Sequence, residues 1–260
     1  MISTAAAPRP GRALRKLTLT ETKMLGRTPA VLFWAIGFPV AGLIVLGLIP
    51  AANKPVAGLG GISVLQTYLP IIIIFTLVMT AVNFLPATLV SYRERGVLRR
   101  MFTTPVKPRT LLAAQILLNL AVQVATVALT VILAVGAFGA TIGQPLGFII
   151  AFITTAAAVS AVGLLVAAVC FTGKAANAVG AVLFFVLMFF AGLWIPRATM
   201  PVALRDISNF TPVGAGGQAI QSAAAGNWAP WWYFAVLAGY LLVCGALAIR
   251  LFRWELLRRR

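Results

Sequence analysis

Residues able to carry chemistry are few in this chain. It contains no histidine, two cysteines and four carboxylates, Glu21, Glu94, Asp206 and Glu255. Without imidazole there is neither a histidine metal ligand nor a base that works near neutral pH. Cys170 and Cys244 stand singly inside apolar runs, so neither a zinc set nor a disulfide framework is indicated. None of the carboxylates lies in the middle of an apolar run, whereas proton- and ion-coupled carriers usually place ionisable groups at membrane depth. No catalytic residue and no metal site are expected.

What remains is the chemistry of docking and of a polar path. The stretch Tyr92-Arg-Glu-Arg-Gly-Val-Leu-Arg-Arg-Met-Phe-Thr-Thr-Pro-Val-Lys-Pro-Arg109 has one acid, Glu94. Val97, Leu98, Met101 and Phe102 form an apolar edge beside Arg99 and Arg100, and Pro105 stops a helix. Read as a short amphipathic helix, the segment fits a groove on a cytoplasmic partner. Read plainly, it is a basic loop, and composition leaves both readings open. A second segment, Gly192 to Trp228, is fairly apolar and broken by Pro196, Pro201, Pro212, Gly214, Gly216 and Gly217. Such a segment can dip into a membrane when protein surrounds it. Trp228, Trp231, Trp232 and Tyr233 suit an interfacial aromatic belt.

Gln115, Asn119, Gln123, Thr126 and Thr130 recur at steps of 4, 4, 3 and 4. At about 100° per residue they share an arc of roughly 80° on one helix. They either face a transport path or hydrogen-bond to neighbouring helices. Asn83 poses the same alternative, and Pro86 is an expected kink site. Aromatic residues crowd two other segments: Phe33, Trp34 and Phe38 in one, Phe184, Phe185, Phe189, Phe190 and Trp194 in the other.

The elements that must position these groups follow from the distribution of charge. Charged residues are 10% of 260, with 21 Lys and Arg against 4 Asp and Glu. Charge-free runs cover Thr28–Asn53, Pro55–Tyr92, Thr110–Gly173, Ala175–Pro196 and Ile207–Ile249. About 20 apolar residues suffice to cross a bilayer, and in lipid only a helix satisfies its own backbone. The expectation is an all-α polytopic membrane protein with spans at about 30–49, 67–90, 110–138, 147–171, 178–195 and 229–249. A cytoplasmic arm (1–28) with an interfacial helix precedes this domain (29–251). A basic tail (252–260) follows it. The arm carries Leu14, Leu17, Met24 and Leu25 near helical spacing, with Lys16, Lys23 and Arg27 available to headgroups. A solvated basic tail is its plainer reading.

With both termini inside, the inner segments hold 18 of the 21 cations and the outer segments hold Lys54, Arg197 and Arg205. That asymmetry places both termini in the cytoplasm. It also accounts for the net charge of +17 without nucleic-acid binding, for which no module is visible. A multi-pass protein of a cytoplasmic membrane is expected, and the Ala-, Gly- and Val-rich composition suggests a bacterial one.

The Tyr92–Val106 stretch resembles the cytoplasmic coupling segment of type-2 ABC exporter permeases, whose usual form is Arg-Glu-x-Gly-Thr-Leu-Glu-x-Leu-x-x-Thr-Pro. Gly192–Gln218 is similar to the second signature of that family, an external hairpin half-inserted before the last span. Val97 and Arg99 depart from the usual Thr and Glu, while Glu94, Gly96, Leu98 and Pro105 agree. Drug-resistance permeases of the daunorubicin kind look similar.

The resemblance implies a membrane half-transporter. A second permease chain, identical or related, and two copies of a separate ATPase would complete it, with ATP and Mg held by that ATPase. This chain has no G-x-x-x-x-G-K-[ST] with which to cradle ATP. Glu94, Arg95, Gly96, Val97, Leu98, Met101, Phe102 and Pro105 would contact the ATPase over 92–105. Pro196, Pro201 and Pro212 would shape an external re-entrant segment over 196–228. Phe33, Trp34, Phe38, Asn83, Gln115, Asn119, Gln123, Phe185, Phe189 and Trp194 would line the path or the dimer seam. The expected cargo is apolar or amphiphilic: a drug, a lipid or a lipid-linked molecule, with multidrug efflux and antibiotic resistance as the corresponding roles. A membrane-embedded lipid-modifying enzyme and an ATP-independent facilitator are the alternative classes. The former would need a clustered acid, base or nucleophile pair, which the sequence lacks.

Overall fold

The structure is a computed structural model that describes residues 18–19, 21–23, 26–54, 56, 63–96 and 108–251. Six helices are long and apolar enough to cross a membrane: Pro29–Leu48, Val64–Glu94, Thr110–Phe138, Pro145–Val169, Gly173–Ala191 and Trp231–Leu251. Between the fifth and sixth lie two shorter helices, Val202–Asn209 and Pro212–Ala224. The described residues of the N-terminal arm (18–19, 21–23 and 26) are helical. Among the described residues the protein is all-α.

The long helices alternate in direction, which gives the bundle two ends. At one end, a Cβ placed on Gly173 would lie 3.1 Å from Glu94 Oε2. At the other, a Cβ on Gly47 would lie 2.5 Å from the Phe138 ring. There too, Gly143 N–H donates to Ala224 O at 3.1 Å and Gln144 N–H to Ala223 O at 3.0 Å. We call these the basic end and the hairpin end.

The second span is the axis. In its apolar window 72% of residues are buried, against 17–50% in the other five. Ile71, Ile72, Ile73 and Ile74 in succession leave no polar face to turn outward, and a helix apolar all round is a buried one. The outer spans leave large apolar side chains uncovered, with Ile132, Val182, Leu242 and Ile249 between 65% and 81% exposed. Such a continuous apolar exterior suits lipid or a second copy.

Two spans differ from their expected bounds by more than two residues. The second starts at Val64 because Ser63 and Gln66 form a reciprocal capping box. It runs on to Glu94, beyond which Gly96 turns at φ +66. The fifth starts at Gly173, not near Ala178, because Thr172 Oγ1 accepts from Ala175 N–H at 3.1 Å. It stops at Ala191, not Ile195, because Gly192 adopts the left-handed conformation at φ +91.

The three hairpin prolines each open a helical element: Pro196 precedes the turn Arg197–Thr199, Pro201 precedes Val202, and Pro212 is the first residue of its helix. Arg197 knits the hairpin together. Its Nη1 donates to Ser208 Oγ at 2.6 Å, and its Nη2 donates to Arg205 O at 3.3 Å and to Asn209 Oδ1. Ser208 Oγ donates in turn to Phe190 O at 2.7 Å, fixing the hairpin to the fifth span. Helix Pro212–Ala224 then inserts between the spans, with Val213, Ala215, Ala219 and Ile220 fully buried. Gly216 allows this approach: a Cβ there would lie 2.3 Å from Thr155 Cγ2. Thr155 is ten residues into the fourth span, about 15 Å from its end at 1.5 Å per residue.

Candidate functional site

The site begins with a proline. Pro86 offers no N–H, and its ring would collide with the carbonyl four residues earlier in an α-helix. The second span relieves this by widening into a π-helical segment, Met79–Phe84, in which Leu85 N–H bonds to Thr80 O. Segments of this kind are frequent at functional sites. The first span repeats the device at Phe33–Gly37, ahead of Pro39.

Three spans close on the widened turn. Gly163 of the fourth span comes so near that a Cβ would lie 1.8 Å from Ala81 O. Gly180 of the fifth lies against Val82 O, where a Cβ would sit 2.9 Å away. From the third span, Asn119 Nδ2 donates to Thr80 O at 2.9 Å. Gln123 Nε2 donates to Thr80 Oγ1 at 2.9 Å and to Asn119 Oδ1 at 2.7 Å. Thr80 Oγ1 itself donates to Thr76 O at 2.7 Å. Gln123 Oε1 and Thr126 Oγ1 are buried here without a hydrogen-bond partner among the described residues.

Toward the basic end the polar face of the third span opens onto a cavity of about 570 Å³. Its polar lining includes Glu21, Arg27, Tyr92, Arg95, Gln115 and Asn119, set among hydroxyl and apolar side chains of the first three spans. Tyr92 OH donates to Glu21 Oε2 at 2.6 Å and accepts from Gln115 Nε2 at 3.3 Å. Glu21, buried at 9% exposure, thereby ties the N-terminal arm to the end of the second span. A single residue's step, about 100° around the helix, turns Arg93 away from this cavity, and its Nη2 donates to Ala167 O of the fourth span.

Glu94 is exposed and lies at the N-terminus of the fifth span, beside Gly173. The exposed amides of a helix start favour a carboxylate. Arg95 is exposed at the cavity rim. Gly96 ends the described segment; Val97, Leu98, Met101, Phe102 and Pro105 lie outside the described residues.

Aromatic rings form a continuous ribbon across three spans. Phe33, Trp34 and Phe38 follow one another at 5.3 and 5.2 Å. Phe38 stacks on Phe75 at 4.8 Å, and Phe75 meets Phe184 edge-on at 5.5 Å. Phe184, Phe185 and Trp194 continue it at 5.7 and 6.0 Å. Phe33, Trp34, Phe38, Phe185 and Trp194 are 40–59% exposed, while Phe75 is 5% exposed. The ribbon is therefore a surface built on one buried ring.

The residues singled out from sequence separate into two groups. Gln115, Asn119 and Gln123 share one polar cluster, in which Asn119 and Gln123 bond to the second span and Gln115 to Tyr92. Phe33, Trp34, Phe38, Phe185 and Trp194 share the ribbon. Asn83 belongs to neither: its Nδ2 reaches Met79 Sδ at 3.7 Å, and it faces Gly180. Phe189 pairs with Phe190 at 5.4 Å, off the ribbon. Sequence reasoning did not find Thr80, Phe75 or the Glu21–Tyr92 pair. Only Thr80 left a trace, as a threonine six residues before an intramembrane proline.

Among the described residues the arrangement holds no nucleophile–base pair, and no group of His, Cys, Asp or Glu there could hold a metal ion. It offers polar contacts beside an apolar helix seam. A comparison with curated proteins returned no match. The family model for the ABC-2 type transporter matches residues 12–225, a region that holds most of the arm, five of the six spans, the basic segment after Tyr92 and nearly all of the hairpin. The chain belongs to the ABC-2 type transporter family, as a membrane permease.

Proposed function

We propose that this chain is the membrane subunit of an ATP-driven exporter whose cargo is an apolar or amphiphilic molecule taken from the cytoplasm or the inner leaflet. Two permease chains would form the pathway. A separate ATPase, holding ATP and Mg, would dock on residues 92–105. Hydrolysis belongs to that partner, and the permease converts its closure into movement of the spans.

The observation that carries this reading is the position of Tyr92. It lines the 570 Å³ cavity, bonds to Glu21 and Gln115, and stands two residues before Glu94. A push on the coupling segment would reach the cavity wall through one rigid helix end. Cavities of roughly 300–1,000 Å³ with apolar walls and a few polar groups accommodate drug-sized molecules. The π turn gives the same helix a point at which to bend or rewind. Gln123 Oε1 and Thr126 Oγ1, buried without partners among the described residues, supply groups that a second arrangement of the helices would satisfy; leaving each unpaired costs about 1–3 kcal/mol.

Purification from native membranes under mild detergent tests the reading. An ATPase carrying a G-x-x-x-x-G-K-[ST] motif should accompany the chain, and amphiphiles should alter its turnover. Recovery of the permease alone from every mild detergent, with no effect on any ATPase, would refute it.

A further inference from the structure

A second cavity, of about 230 Å³, lies at the hairpin end. Its floor is apolar, made by Ile71 and Ile74 of the second span and Phe190 of the fifth. Its polar side carries Arg197, Arg205 and Gln218 from the hairpin. The charge pattern makes these arginines unusual. Only three cations fall on the outer side by the orientation read from the sequence, and two of them line this single cavity.

The two arginines differ in what holds them. Arg197 is fixed by Ser208, Asn209 and the Arg205 carbonyl. Burial pulls its guanidinium below its usual pKa. Arg205 nearby acts the same way, while Tyr233 and Asp206 oppose both. Arg205 is exposed, and among the described residues its side chain has no hydrogen bond or ion pair. A fixed cation and a free one therefore flank a pocket with an apolar floor. That combination satisfies a ligand with a compact anionic group joined to hydrocarbon.

We propose that this outer cavity binds the phosphate headgroup of an anionic lipid, with Arg197 as the fixed contact, Arg205 as the closing one, and the acyl chains leaving along the apolar floor. Guanidinium groups pair with phosphate through forked, charge-assisted hydrogen bonds. The site concerns binding by the permease alone, so it stands or falls independently of the ATPase partner.

The test is photocrosslinking. The purified full chain is reconstituted with diazirine-bearing phosphatidylglycerol or, separately, diazirine-bearing phosphatidylcholine, and the adducts are mapped by peptide mass spectrometry. Phosphatidylglycerol should label the peptides carrying Ile71–Ile74 and Phe190 in preference to phosphatidylcholine. Arg205→Gln, an exposed substitution compatible with folding, should lower that labelling about tenfold, the effect of losing one charged hydrogen bond. Arg205→Lys should retain most of it. Labelling of peptides at the basic end should be unchanged in both variants. Equal labelling by the two lipids, indifference to Arg205→Gln, or displacement by millimolar inorganic phosphate would each overturn the proposal.

Discussion

Tyr92 donates a 2.6 Å hydrogen bond to Glu21, a residue 71 positions earlier in the chain. The bond joins the N-terminal arm to the last turn of the central span, two residues before Glu94. A phenol bound to a carboxylate in a half-buried setting is a firm tie, since hydrogen bonds to charged groups contribute about 1.5–3 kcal/mol. It ties the arm to the cavity wall close to Glu94, where the proposed ATPase contact begins.

Tyr92→Phe and Glu21→Ala should therefore each weaken the coupling of ATP hydrolysis to transport while leaving membrane insertion intact. The double variant should be no worse than the poorer single one, because both remove the same bond. A double-mutant cycle on thermal unfolding should return a coupling of about 1–2 kcal/mol. Strictly additive effects would show that the two side chains act separately.

Gly163→Ala should destabilise the bundle by about 1–3 kcal/mol, the usual cost of overpacking. A Cβ there would meet Ala81 O at 1.8 Å, and the π turn has nowhere to retreat between the third and fourth spans. Gly136→Ala, where nothing lies within 4 Å of the added methyl, is the control. Unfolding temperatures measured by tryptophan fluorescence should separate the two variants clearly.

The polar face of the third span was legible in the sequence because helical period alone aligns Gln115, Asn119 and Gln123. Their partner was not. Thr80 looks like any threonine in an apolar run, and its carbonyl becomes a meeting point for Leu85 N–H and Asn119 only in the π-helical turn ahead of Pro86. Phe75 likewise has no local mark, since a ring inside an apolar stretch gains meaning only from Phe38 and Phe184 in other spans. The six spans were legible because bilayer thickness sets their length. Their ends were less so: Thr172-Gly173-Lys174 reads as a polar turn, yet Thr172 is a cap and the helix begins there. Glu21 and Tyr92 are too far apart in sequence for any spacing argument to pair them.

The aromatic ribbon is expected to face a second copy of the chain. In a background with Cys170 and Cys244 replaced by alanine, Phe185→Cys should crosslink between copies under mild oxidation. Ile249→Cys, 81% exposed but far from the ribbon, should not. The reverse pattern would place the seam elsewhere.

Topology can be read with membrane-impermeant thiol reagents in the same background. Lys54→Cys and Asn227→Cys, both exposed, should label from outside sealed cells. Lys174→Cys, exposed at the opposite end, should label only after the membrane is opened. Outside labelling at Lys174→Cys would invert the orientation drawn from the 18-to-3 distribution of cations.

The central claim is that residues 92–105 transmit the work of a separate ATPase to this permease, and ATP-dependent movement of a fluorescent amphiphile in proteoliposomes tests it most directly. Wild-type permease reconstituted with its ATPase should move the probe across the bilayer when ATP is present. Leu98→Asp should abolish that movement and release the ATPase, because burying a charge in an apolar groove is costly. Glu94→Ala should keep the complex assembled yet lower transport several-fold, through loss of a charge-assisted contact. Assembly and transport at wild-type level in both variants would contradict the account and reduce the segment to a basic loop.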